Sequence, residues 1–170
     1  MRIIKTIARA PIAILVFLYS IAAHATPVPD SFARFIENIA SAATKGAKAV
    51  QDEWPGQTLA FPGEDRGPAR SLLSGPFPLG EGLRTAGSEV RLAKNGDAVQ
   101  LIIVKLEGPC ITPADIEKKY QATESVIFPQ PNNPNPVQYQ RVDVAGAQVS
   151  FGFRGQPPGC LTDAVINPVP

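Results

Sequence analysis

The sequence predicts an α+β domain: an antiparallel sheet of about five strands with one long helix and one short helix packed on it. Three observations predict it. Residues 28–54 repeat apolar side chains at helical spacing, residues 88–106 alternate around Asn95-Gly96, and residues 137–154 alternate around Val144-Ala145-Gly146. Each strand then has one apolar side to cover, and a helix laid across one face is the economical cover.

Ahead of these elements, Arg2, Lys5 and Arg9 precede an apolar run at residues 12–23, and Ala23-His24-Ala25 places small residues where a signal peptidase would cut. Residues 1–25 are therefore expected to be a cleavable signal peptide. The run is too short for a membrane span, which needs about 20 apolar residues. Residues 26–170 are then one small domain, working in the periplasm or, alternatively, fully secreted.

In the first helix, Phe32, Phe35, Ile36, Ile39, Ala43, Ala47 and Val50 form one stripe, and Asp30 or Ser31 is placed to cap it. Gly46 weakens its second half by about 1 kcal/mol relative to alanine, and Pro55-Gly56 ends it. Trp54, the only tryptophan, is expected to plug the helix end against the core. Residues 55–87 are rich in glycine and proline and read as an extended connector, pinned by apolar islands around Leu59, Leu72 and Phe77.

Asn95-Gly96 is the strongest two-residue hairpin signal, since both central positions of a type I′ turn take positive φ. It places Leu92 opposite Val99, Arg91 opposite Gln100 and Val90 opposite Leu101. Thr112, Pro113 and Asp115 then spell the start of a short helix running to about Gln121, with Ile111 and Ile116 as its hydrophobic staple. Residues 128–136 are a proline- and asparagine-rich loop. A three-residue turn at Val144-Ala145-Gly146 would set Tyr139 opposite Phe151 and Val137 opposite Phe153. A last, shorter strand covers residues 160–166.

Composition narrows the chemistry. The chain has 16 basic and 15 acidic residues. Three of the basic ones lie in the leader, leaving 13 against 15, a balance of −2, which offers no general attraction to nucleic acid or anionic membranes. The single histidine is His24. A processed chain therefore has no Ser-His or Cys-His pair, no histidine base and no histidine metal ligand. No metal-spaced cluster and no cofactor motif is present, so no metal or cofactor is expected. Cys110 and Cys160 are expected to pair, closing a loop of about 50 residues worth on the order of 4 kcal/mol.

A carboxylate-based hydrolase is the one enzymatic alternative, with Asp115, Asp143 and Asp163 as candidates. Asp115 is better explained as a cap, Asp143 as a turn neighbour, and Asp163 as a polar position in an edge-like strand. The leading expectation is a non-enzymatic protein that binds another protein, as an inhibitor or immunity-type partner of an envelope-acting enzyme. Gln130, Asn132, Asn133 and Asn135 of the semi-rigid loop are its candidate contacts. A structural or accessory protein docking through the 55–87 arm is the further alternative.

Overall fold

The computed structural model describes residues 27–56, 59, 70–94, 96–121, 124–127, 137–155 and 159–169. The expected leader and the contacts proposed at Gln130, Asn132, Asn133 and Asn135 lie outside them.

The fold is α+β, and the described residues form three helices and eight strands rather than the two helices and about five strands expected. In chain order these are α1 (Asp30–Ala43), α2 (Ala47–Glu53), β1 (Arg70–Ser74), β2 (Pro78–Gly80), β3 (Leu83–Leu92), β4 (Val99–Glu107), α3 (Pro113–Tyr120), β5 (Glu124–Ile127), β6 (Gln138–Val144), β7 (Ala147–Arg154) and β8 (Cys160–Pro168). Seven strands follow the order β1-β3-β4-β8-β7-β6-β5, and β2 pairs with β3 beside β1. Every pairing is antiparallel.

The long helix of the sequence reading is two helices. Gly46 adopts φ 108°, a conformation that side chains with a Cβ rarely enter, and the chain turns there. The turn brings the Ala47 N–H to the Asp97 carbonyl at 2.8 Å, so the β3–β4 hairpin satisfies one of the free N–H groups at the start of α2. Neither expected cap operates. Asp30 is the first helical residue and accepts from Lys119 Nζ at 2.9 Å, and the Ser31 hydroxyl donates to the Leu79 carbonyl.

The apolar stripe of α1 is buried as read. Phe32, Ile36, Ile39 and Ala40 are fully enclosed, while Arg34, Glu37 and Asn38 face out. The helix lies on β8, β7, β6 and β2, and Phe32 meets Phe151 edge-on at 6.2 Å. Each large side chain removed from water there contributes about 1.5–3 kcal/mol. Trp54 plugs the helix end as expected: Phe35, Trp54 and Phe77 form a triangle of edge-to-face rings, every centroid pair 5.7 Å apart.

The connector is partly regular. Leu72, Phe77 and Leu79 anchor β1 and β2 into the core, so residues 70–80 form the edge of the sheet. The first hairpin begins in the expected register, with Leu92 opposite Val99. A bulge at Gln100 then pairs Arg91 with Leu101 and Val90 with Ile102, one residue from expectation. The shift is undone at Ala86, where Thr85 faces Leu106.

The second hairpin slips throughout. Its turn has two residues, Ala145 (φ 49°) and Gly146 (φ 84°), and Val144 pairs with Ala147. Tyr139 therefore faces Gly152 and Gln140 faces Phe151. Because side chains alternate with a period of two, this slip moves Tyr139 to the face opposite the helices.

The short helix matches its reading in detail. The Asp115 N–H donates to Thr112 Oγ1 at 3.4 Å, and the Thr112 N–H donates to Asp115 Oδ2 at 2.8 Å. Ile111 and Ile116 are buried around this capping box. Cys110 and Cys160 form the expected disulfide, tying the segment before α3 to the first residue of β8.

Candidate functional site

All described helices lie on one face of the sheet, so alternation assigns the side chains of the other. Across its centre run Leu73 on β1, Glu89 on β3, Ile103 on β4, Val165 on β8, Ser150 on β7 and Arg141 on β6. The next row carries Gly87, Lys105, Asp163, Gly152 and Tyr139. Leu101, Ile103 and Val165 are half-buried and Leu73 is 43% exposed, so the face has an aliphatic centre open to contact.

Ion pairs border that centre. Arg91 Nε donates to Glu89 Oε1 at 2.9 Å, and Ser71 Oγ donates to the same oxygen at 2.9 Å. The Arg91 hydrogen bond holds the Glu89 carboxyl below the usual range, against a smaller opposing effect of burial. Arg84 Nη2 and Glu107 Oε2 pair at 2.7 Å at the far end of β3 and β4.

The buried polar group on this face is Asp163. The strand that holds it is central, between β4 and β7, not edge-like as the sequence suggested. Its residue exposure is 4%. A bulge at Thr162 sets the position: β8 inserts this residue between Leu161, opposite Phe153, and Asp163, opposite Gly152. Thr162 Oγ1 donates to Asp163 Oδ1 at 3.0 Å, and the Tyr139 hydroxyl donates to the carboxylate from the other side. Burial first, and then the charge of Asp163, raise the Tyr139 phenol above its ordinary range. Gly152 is what admits this arrangement. A Cβ there would lie 2.5 Å from Asp163 Oδ2 and 2.9 Å from Tyr139 Cε1, so the space that a side chain needs is occupied by the dyad.

The carboxylates proposed for hydrolysis do not gather. Asp115 is committed to its capping box on α3. Asp143 is exposed and pairs with Gln148, whose partner on β8 is Asn167. Four residues along β8 and two strands across place the Asp143 and Asp163 backbones about 16 Å apart, beyond the roughly 5–9.5 Å of glycosidase carboxyl pairs. No group of three or more potential metal ligands occurs among the described residues. No described helix is long and apolar enough to cross a membrane.

The sequence reading missed the Tyr139–Asp163 dyad, although one signal pointed to it. An isolated glycine within the strand run Ser150-Phe151-Gly152-Phe153 marks a bulge or a close approach, and here it marks both.

No family model matches the chain, and no curated protein matches it. Among solved structures it is similar to a DUF4309 family protein, YjgB, from Bacillus subtilis subsp. subtilis str. 168. The two share 13% identity and a TM-score of 0.48, over 83% of this chain and 100% of that one. No residue role follows from so distant a likeness.

Proposed function

We propose that this chain is an exported, non-enzymatic binding protein that acts in the periplasm or outside the cell on a protein partner, as an inhibitor or immunity-type partner of an envelope-acting enzyme. The observation that carries the reading is the helix-free sheet face. Its half-exposed aliphatic centre, bordered by charged pairs, has the composition of a recognition surface: an apolar middle within a polar rim. The Cys110–Cys160 disulfide supports the extracytoplasmic part, because such bonds persist in oxidising compartments.

The test is site-specific crosslinking. A photoreactive residue at Ile103, in the chain expressed with its leader, should trap one stoichiometric partner in envelope extract, and the same probe at Glu37 on the helical side should not. Absence of any stoichiometric adduct at Ile103 under several growth conditions would defeat the reading. So would equal trapping at both positions.

A further inference from the structure

The helix-free face carries two cations without an ion pair among the described residues, and both stand around the buried dyad. Lys105 is the cross-strand neighbour of Asp163 on β4, and its charge also acts on Glu89 of β3 without a direct ion pair. Arg154 is two residues beyond Gly152 on β7, close enough to act electrostatically on Tyr139. Both are exposed. The Asp163 carboxylate accepts from Thr162 and Tyr139 and is sealed at 4% exposure, so its oxygens are committed while its charge favours cations nearby. The other cations on this part of the face are spoken for: Arg84 and Arg91 by Glu107 and Glu89, and Arg141 by an interaction of its own.

From this placement we infer that Lys105 and Arg154 receive an acidic, extended segment of the partner, with Asp163 and Tyr139 acting as positioning residues beneath them. The inference rests on this face being the recognition surface. Two strand spacings and two residue rises separate the Lys105 and Arg154 backbones by about 12 Å. Carboxylates at alternate positions of an extended segment lie about 7 Å apart, a span that two long side chains converging from that distance can meet. Two cations on a chain whose processed balance is −2 suit a discrete acidic segment better than a polyanion, which needs a broad basic field. The aliphatic row of Leu101, Ile103 and Val165 beside them would take the apolar residues between the acids.

The experiment uses fluorescence anisotropy with a labelled peptide of alternating Glu and Val, and an alternating Gln and Val peptide as control, on the disulfide-bonded chain without its leader. The acidic peptide should bind at low salt and weaken at about 150 mM salt, where the screening length is near 8 Å. The Lys105→Gln/Arg154→Gln variant should bind about tenfold more weakly, two exposed ion pairs being worth up to ~1 kcal/mol each. Lys45→Gln/Lys118→Gln, the same charge change on the helical side, should stay within about twofold, well inside that margin. Tyr139→Phe should weaken binding less than the double variant, with its own melting curve as the check on folding. Failure of the wild type to prefer the acidic peptide, or an equal loss in the Lys45/Lys118 variant, would overturn the inference. Retained trapping at Ile103 by the Lys105/Arg154 variant would also overturn it while leaving the binding function standing. Loss of Ile103 trapping by the wild type would instead remove the function itself.

Discussion

Replacing Gly152 by alanine isolates the buried dyad in one methyl group. The new Cβ would sit 2.5 Å from Asp163 Oδ2, 2.8 Å from its Cγ and 2.9 Å from Tyr139 Cε1. All three contacts are with side chains, so the backbone can stay while the dyad is displaced. Moving Asp163 forfeits the hydrogen bond from Tyr139 and strains the one from Thr162. A hydrogen bond to a charged acceptor is worth about 1.5–3 kcal/mol, and more when the charge stays buried. Against this, alanine reduces the freedom of the unfolded chain by about 0.4–1 kcal/mol, and Gly152 has no left-handed φ to oppose it. The net expectation is a loss of about 1–2 kcal/mol, or roughly 3–6 °C in Tm for a domain of this size.

Urea denaturation followed by circular dichroism measures that loss, and a double-mutant cycle assigns it. In an Asp163→Ala background the methyl group meets no carboxylate, so Gly152→Ala should cost at least about 1 kcal/mol less than in wild type. A Gly152→Ala protein within about 0.5 kcal/mol of wild type would refute the reasoning, as would a cost unchanged by removing Asp163.

Three other outcomes follow from the fold. Ala145→Gly relieves an exposed left-handed residue in the β6–β7 turn and should stabilise by about 0.5–1 kcal/mol in the same urea assay. Replacing both Cys110 and Cys160 by alanine should lower stability by up to about 4 kcal/mol, with the non-reducing mobility shift lost in parallel. The tyrosines make the fold sensitive to alkali: burial first, then the Glu37 charge, raises Tyr120, and burial with Asp163 raises Tyr139. A native pKa above the unfolded value near 10 means that this stabilisation is intact below about pH 10 and is lost as pH climbs toward the native values. Phenolate absorbance should thus appear together with the loss of circular dichroism, and Tyr120→Phe should move that unfolding to higher pH; early phenolate in an intact fold would contradict the burial.

Legibility in the sequence followed the range of the interactions. The capping box of α3 and the staple of Ile111 and Ile116 are set within a few residues, and they were readable in full. The α1 stripe was equally plain, because burying Phe32, Ile36 and Ile39 needs only the 3.6-residue period. The break at Gly46 was not, since it depends on the Asp97 carbonyl from a hairpin some fifty residues downstream. β1 and β2 were hidden by the prolines and glycines around them, and β5 by its shortness. The one-residue slip of the second hairpin came from Ala145, whose positive φ defies its own preference because the two-residue turn matches the twist of its strands. That slip carried Tyr139 to the helix-free face, so the dyad could not be read from alternation alone.

The placement of β8 has a consequence for how the molecule is made. This strand, the last among the described residues, is inserted between β4 and β7. Until residues 160–168 arrive, the chain consists of two half-sheets with raw edges facing one another, and the α1 core lacks its floor of Leu161, Ala164 and Ile166. Assembly must therefore wait for residues 160–168. Truncation before Cys160 should leave a product that a protease clears rather than a smaller domain.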